Sequence, residues 1–103
     1  MEFKEIIKRA KEIQIGYRTL NEKSGRNEWG TSEYTQGLVG DVGDLMKLVM
    51  AKSNLRPGED IDKKLGHELS DCLWSVIVIS QELGIDLEKE FMSTMDELEK
   101  KIK

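Results

Sequence analysis

The sequence predicts an all-α protein: a four-helix bundle that is completed by homo-oligomerisation. Apolar residues recur with the 3.6-residue period of an amphipathic helix in four segments. The single proline is Pro57, and no strand-like alternation, internal repeat or low-complexity segment is visible. Residues 1–103 are the size of one small domain with a thin core.

The first helix is expected over about residues 2–21, and the second over about 33–52, after a polar stretch. Thr31 or Ser32 is expected to cap the second helix. The third helix is expected over about 61–83 and the fourth over about 87–102. Gly84 fits the position just past a helix, and Asp86 fits an N-cap. The apolar residues expected to face inward are Phe3, Ile6, Ile7, Ala10, Ile13, Tyr17, Leu20, Leu38, Val42, Leu45, Val49, Leu65, Leu69, Cys72, Val76, Ile79, Leu87, Phe91, Met95, Leu98 and Ile102.

The third predicted helix is apolar on nearly all sides between residues 72 and 79. Such a helix must be buried on several sides. Three other short helices leave part of it uncovered, so we expect a second copy of the chain to cover the rest. A homodimer is the commonest arrangement, and a homotetramer is the alternative.

Composition excludes several classes of function. The net charge of −4 and the pI of about 5.1 give no basic surface for a nucleic acid polymer. No apolar run reaches the roughly 20 residues that span a bilayer, and no secretory signal is visible at the start. The one cysteine, Cys72, is expected to be a buried thiol. We therefore expect a cytoplasmic protein that is not bound to membranes.

Two acidic pairs lie inside apolar helical segments: Asp41 with Asp44, and Glu68 with Asp71. The i,i+3 spacing puts both carboxylates of a pair on one helix face. A helical wheel places Asp41 within the apolar sector of its helix and Glu68 beside apolar residues of the next. Buried carboxylates need a counter-charge, and no basic partner is near in sequence.

A divalent cation is the counter-charge that this pattern favours. Mg²⁺ prefers carboxylate oxygens and keeps positions for water and substrate phosphates; Mn²⁺ is a possible substitute. The alternative is that all four acids are solvated surface residues of a highly charged chain. Because His67 adjoins Glu68 without the Glu-x-x-His spacing of di-iron bundles, a redox metal is not favoured.

Residues near the acids suggest a phosphate-containing substrate. Lys47 and Lys52 follow the first acidic pair and could meet phosphate oxygens, or could be ordinary solvated lysines. Trp29 and Tyr34 flank the start of the second helix and could stack on a base, or could cover the end of the bundle. All four are candidate substrate-binding residues.

Residues 37–45 (GLVGDVGDL) and 68–74 (ELSDCLW) resemble the motifs of MazG-type all-α nucleotide pyrophosphohydrolases, a family with dimeric dUTPase-like and dCTPase-like members. The resemblance implies that the four-helix bundle is MazG-like and that Asp41, Asp44, Glu68 and Asp71 hold Mg²⁺. It also implies hydrolysis of a nucleoside triphosphate to a monophosphate and pyrophosphate, by attack of a metal-activated water on the α-phosphate. Asp41 and Glu68 would be the catalytic carboxylates, with Asp41 taking the proton.

The sequence departs from the family pattern in three respects. The first pair is Asp/Asp where Glu/Glu is usual, Ser75 stands where many relatives have tyrosine, and residues 94–97 (TMDE) lack the Asn and Lys or Arg that the fourth helix often carries. These departures keep an alternative open: a catalytically silent helical oligomeric interaction module derived from the same fold. The nucleobase is not predicted.

Overall fold

The computed structural model describes residues 1–54 and 57–103, which form four α-helices and no strand. The helices are α1 (Phe3–Lys23), α2 (Thr31–Lys52), α3 (Ile61–Glu82) and α4 (Leu87–Ile102). The all-α prediction is confirmed, and every predicted boundary lies within two residues of the observed one.

Glycines end α1 and α3 where the backbone must turn left-handed. Gly25 has φ +69° and Gly84 has φ +67°. After α3 the N–H of Ile85 donates to the carbonyl of Ser80 at 2.8 Å, and the N–H of Gly84 donates to that of Gln81 at 3.2 Å. These two bonds form a Schellman motif, as Gly84 predicted.

The starts of α2 and α4 are capped differently. Asp86 accepts a hydrogen bond from the N–H of Lys89 at 3.1 Å, so its predicted capping role is confirmed. The predicted cap of α2 by Thr31 or Ser32 was wrong, because both residues are already helical. Gly30 precedes the helix, and its N–H donates to the Glu33 carboxylate at 2.7 Å.

The antiparallel pair of α2 and α3 forms the centre of the molecule, with α1 packed on α3. The indole Nε1–H of Trp74 donates to the carbonyl of Ala10 at 3.1 Å, and the amide of Gln14 donates to Glu82 at 2.7 Å. These bonds fix α1 against α3. The buried apolar residues are few: Ala10, Tyr34, Ala51, Ile77 and Val78.

Several residues predicted to face inward are exposed in the single chain. Val42 on α2, Leu69 on α3 and Phe91 on α4 expose 50%, 55% and 55% of their surface. Helix α4 is amphipathic, yet it contributes no buried residue. The radius of gyration is 16.4 Å, against about 13 Å for a compact domain of this size. The chain therefore leaves large apolar faces without an intramolecular partner.

None of the helices in the two described ranges combines the length and apolarity needed to cross a bilayer.

Candidate metal and nucleotide site

Three carboxylates converge where the middle of α2 meets the middle of α3. Asp41, Asp44 and Glu68 each offer one oxygen, and these oxygens lie within 4.8 Å of one another. The i,i+3 spacing on α2 aligns the two aspartates, and the antiparallel packing brings Glu68 opposite them. We call these three residues the acid cluster.

Glu68 carries the clearest sign that the acid cluster lacks a partner. Its Oε2 atom is buried and has no hydrogen-bond partner among the described atoms. A buried carboxylate oxygen without a partner bears its full desolvation cost. A cation bound among the three acids would supply the missing interaction.

The electrostatics of the acid cluster agree with this geometry. Burial, and then the charges of Asp71 and Asp44, raise the pKa of Asp41 above its ordinary value. Burial, and then the charges of Asp41, Asp71 and Asp44, raise the pKa of Glu68. Like charges therefore repel one another across the α2–α3 interface.

Asp71, the fourth predicted ligand, lies beside the acid cluster rather than within it. Its Oδ2 is 3.2 Å from Nε2 of His67, one turn earlier on α3. Asp71 still contributes to the negative field at Asp41 and Glu68. The structure thus brings three of the four predicted ligands together and leaves Asp71 at their edge.

An aromatic cavity of about 860 Å³ opens on one side of the acid cluster, between α1 and the α2–α3 pair. Trp29 and Tyr34 line it, and their rings meet edge-to-face with centroids 5.5 Å apart. Gly37 also lines the cavity, and a Cβ there would be in van der Waals contact with the Trp29 ring at 3.4 Å. Asp41 belongs to both the cavity and the acid cluster.

Polar groups also line the aromatic cavity, and they had no signal in the sequence. Asn21, Arg26 and Asn27 come from the end of α1 and the loop after it, while Ser70 and Ser75 come from α3. Amides and hydroxyls beside aromatic rings are suited to binding a flat, polar heterocycle. Asn21 lies near the end of α1, and in the turn that follows the N–H of Arg26 donates to the carbonyl of Asn21 at 2.9 Å.

A second cavity, which we call the lysine cavity, lies on the other side of the acid cluster and measures about 520 Å³. Lys47, Lys63 and Lys64 line it together with Asp44 and Glu68 of the acid cluster. Its remaining lining residues are Leu48, Asp60 and His67.

The two lysines predicted to bind substrate differ in position. Lys47 lines the lysine cavity. Lys52 instead forms an ion pair with Asp62 at 2.6 Å and lines neither cavity. Lys63 and Lys64 were missed by the sequence reasoning, although Lys64 precedes Glu68 by one helical turn.

Cys72 is half-buried rather than fully buried. Burial, and then the charges of Asp41, Glu68 and Asp71, raise the pKa of its thiol. A thiol with a raised pKa stays protonated at neutral pH and is a poor nucleophile and metal ligand. Cys72 is therefore a packing residue beside the site.

The donor set of the acid cluster consists of carboxylate oxygens from two helices, which suits a hard divalent cation. Asp41, Asp44 and Glu68 would hold Mg²⁺ or Mn²⁺, leaving coordination positions for water and for phosphate oxygens. The unpartnered Oε2 of Glu68 fits this assignment.

Comparisons of the chain with protein-family models, with curated proteins and with solved structures found no match. The MazG-type resemblance therefore stays a prediction from the motif residues.

Proposed function

We propose that this protein is a Mg²⁺-dependent nucleoside triphosphate pyrophosphohydrolase. Water attacks the α-phosphorus, and the bond from that phosphorus to the bridging oxygen breaks. Pyrophosphate leaves with the bonding electron pair, and the nucleoside monophosphate keeps the new oxygen. The reaction belongs in the cytoplasm, where nucleoside triphosphates are made and used.

The observation that carries this proposal is the position of the acid cluster beside the aromatic cavity. Asp41 belongs to both features, so a base held against Trp29 has its phosphates close to three carboxylates. Stacking on an aromatic ring is a common way to bind a nucleobase. Carboxylates alone would repel phosphates, so this arrangement requires a cation between the two.

Each group of residues has a distinct role in the proposed chemistry. Trp29 and Tyr34 orient the base, and the acid cluster holds the cation. A bound Mg²⁺ neutralises charge on phosphate oxygens and lowers the pKa of a bound water. Asp41 takes the proton from the attacking water, because it is the one member of the acid cluster that lines the aromatic cavity. Glu68 supports it from α3.

We also propose that the active form is a homo-oligomer, a dimer or a tetramer. An apolar stripe on α2 is exposed, including Val39 at 68% and Met46 at 60%. Leu69 and Leu73 are exposed on the neighbouring helix α3 at 55% and 48%. Apolar area of this extent on a soluble protein marks an interaction surface. A second copy would cover both helices in one two-fold contact.

The test of the hydrolase proposal is pyrophosphate release from a panel of normal and modified nucleoside triphosphates, with Mg²⁺ and with EDTA. We expect release from at least one member with Mg²⁺ and none with EDTA. Glu68→Gln should lose activity by about a hundredfold or more, because it weakens the metal site.

The matched control is Glu97→Gln, which makes the same change at an exposed position of α4. Its activity should equal that of the wild type. Full activity of a folded Glu68→Gln protein would overturn the assignment of the acid cluster. No release from any triphosphate by folded wild-type protein would overturn the hydrolase proposal.

One observation favours a second candidate, a silent helical interaction module. Asp71, which the resemblance makes a ligand, lies against His67 instead of joining the acid cluster. A module of this kind would keep the exposed apolar faces and bind no cation. Its melting temperature would then be unchanged by Mg²⁺, whereas a metal-binding hydrolase is stabilised in proportion to occupancy.

A further inference from the structure

We infer that the lysine cavity is the subsite for the two terminal phosphates, which leave as pyrophosphate, and that Lys63 and Lys64 at the start of α3 are its main anion-binding residues. This inference rests on the proposed hydrolase function and deepens it.

The two cavities lie at successive positions along α2, and their order determines how a bound nucleotide is oriented. The aromatic cavity reaches α2 at Gly37 and Asp41, and the lysine cavity reaches it at Asp44 and Lys47. Asp41 and Lys47 are six residues apart, about 9 Å along a helix. A nucleotide with its base in the aromatic cavity crosses the acid cluster and ends among the lysines.

The lysines in this cavity have no ion-pair partner within 4 Å among residues 1–54 and 57–103. The nearby Lys52, by contrast, is paired with Asp62 at 2.6 Å. Lys63 and Lys64 also lie in the first turn of α3, where the helix dipole disfavours positive charge. The side chains of all three lysines are exposed, so their ammonium groups are free to meet an anionic ligand in the cavity.

The charge of the cavity depends on the cation. Three acids line it, namely Asp44, Glu68 and Asp60, and they offset the three lysines. With a divalent cation held by Asp44 and Glu68, the lining becomes positive overall. Ammonium groups then bind phosphate oxygens as point charges. Anion binding in this cavity should consequently require Mg²⁺.

The experiment is calorimetric titration of inorganic pyrophosphate into the full-length protein, with Mg²⁺ and with EDTA. We expect binding only with Mg²⁺. The double variant Lys63→Ala/Lys64→Ala should bind pyrophosphate at least about tenfold more weakly, since each charged hydrogen bond lost from a ligand costs about that factor or more. Lys63→Arg/Lys64→Arg should restore most of the affinity.

The matched control is Lys100→Ala/Lys101→Ala, which removes two exposed lysines at the end of α4. Its affinity for pyrophosphate should equal that of the wild type. Equal affinity in the Lys63/Lys64 alanine variant and the wild type would overturn the inference, as would an absence of pyrophosphate binding by the wild type.

The failure of this inference is distinguishable from failure of the proposed function. One result would be an alanine variant that hydrolyses a triphosphate with the KM of the wild type and binds pyrophosphate equally well. That result would support the hydrolase proposal and overturn the phosphate subsite. Mg²⁺-dependent pyrophosphate binding that is lost in the alanine variant, in a protein that hydrolyses no triphosphate, would retain the subsite and overturn the hydrolase.

Discussion

Glu68 is the side chain of the acid cluster whose burial is least compensated by other interactions. Its Oε2 is buried without a hydrogen-bond partner, and two aspartates face it from α2. Both burial and those charges disfavour its ionised form, which raises its pKa. The repulsion between Glu68 and the two aspartates is therefore unfavourable when no cation is bound. Removing the charge of Glu68 should consequently change the stability of the metal-free protein.

The first prediction concerns Glu68→Gln. The change removes one charge from the acid cluster, so we expect the metal-free variant to melt higher than the wild type by several degrees. A stabilisation of about 1 kcal/mol corresponds to about 4–8 °C in a domain of this size. The variant should also lose the rise in melting temperature that Mg²⁺ gives the wild type.

The measurement is thermal unfolding of both proteins with EDTA and with Mg²⁺, and Glu97→Gln serves as the control for a charge change on the surface. A Glu68→Gln protein that melts lower than the wild type in EDTA, and that keeps its response to Mg²⁺, would show that Glu68 is an ordinary solvated acid.

The second prediction concerns pH. Folding raises the pKa of Asp41 and Glu68 above the ordinary values of 3.8 and 4.5. The folded protein therefore binds more protons than the unfolded chain between the ordinary and the raised values, and stability falls as pH increases through that window.

Thermal unfolding in EDTA from about pH 4 to about pH 7 measures this effect, by comparison with the double variant Asp41→Asn/Glu68→Gln. The double variant should lose less stability than the wild type over the interval. Parallel pH profiles for the two proteins would mean that the carboxylates do not repel one another as the geometry indicates.

At the scale of the elements, the position of α1 relative to α3 determines the aromatic cavity. The indole N–H of Trp74 donates to the carbonyl of Ala10. The Trp74 ring also meets the rings of Tyr17 and Tyr34 edge-to-face, with centroid separations of 6.3 Å and 5.9 Å. This side chain therefore joins α1, α2 and α3. Gln14, hydrogen-bonded to Glu82, adds a second attachment of α1.

The third prediction follows for Trp74→Phe. The variant loses the hydrogen bond to Ala10 and leaves a small void, so we expect destabilisation of about 1–3 kcal/mol. Urea unfolding measures it. Trp29→Phe is the control, because Trp29 is 46% exposed and should contribute little to stability. Equal stability of the two variants would contradict the described attachment of α1.

The elements themselves were predictable from the sequence, because the apolar period, Gly84 and Asp86 are local signals. The sequence did not predict which apolar faces are covered within one chain. Periodicity shows that Val42 and Leu69 lie on apolar faces, but it does not show whether the cover comes from the same chain. The wheel positions did identify Asp41 as partly buried.

Part of the site also depended on tertiary structure. The convergence of Asp41, Asp44 and Glu68 required the antiparallel register of α2 and α3, which the sequence only suggested. Lys63 and Lys64 suggest an anion site only because they lie beside Asp44, and the packing of α3 against α2 brings these residues to one cavity. The displacement of Asp71 toward His67 had no signal beyond their i,i+4 spacing.

At the scale of the whole molecule, many large apolar side chains stay exposed in the single chain. The largest dimension is 45 Å, and α4 has no buried residue. On α2, Gly43 lies between Val39 and Met46 on the exposed stripe, and a Cβ at Gly43 would meet nothing within 4 Å. A close approach of another helix would explain a glycine there, at a cost of about 1 kcal/mol to helix stability.

The fourth prediction is that Met46→Glu breaks the oligomer. A charge on the exposed stripe of α2 would be buried without a partner in the contact between copies. We expect the wild type to have at least twice the 11.8 kDa mass of the chain by light scattering after size-exclusion chromatography, and the variant to have that of one chain.

Ser93→Glu, on the polar face of α4, is the matched control and should keep the mass of the wild type. A monomeric wild-type protein would contradict the oligomer. If Met46→Glu kept the oligomeric mass, the contact would have to be made by another surface, such as the apolar face of α4.

The central claim is that the acid cluster supports attack of water on the α-phosphorus, and hydrolysis in ¹⁸O-labelled water tests it most directly. Triphosphate that is turned over with Mg²⁺ should give a nucleoside monophosphate carrying the label and pyrophosphate without it, as read by mass spectrometry. Label in pyrophosphate or in inorganic phosphate would place the attack at another phosphorus and contradict the account, as would a folded protein that forms no product.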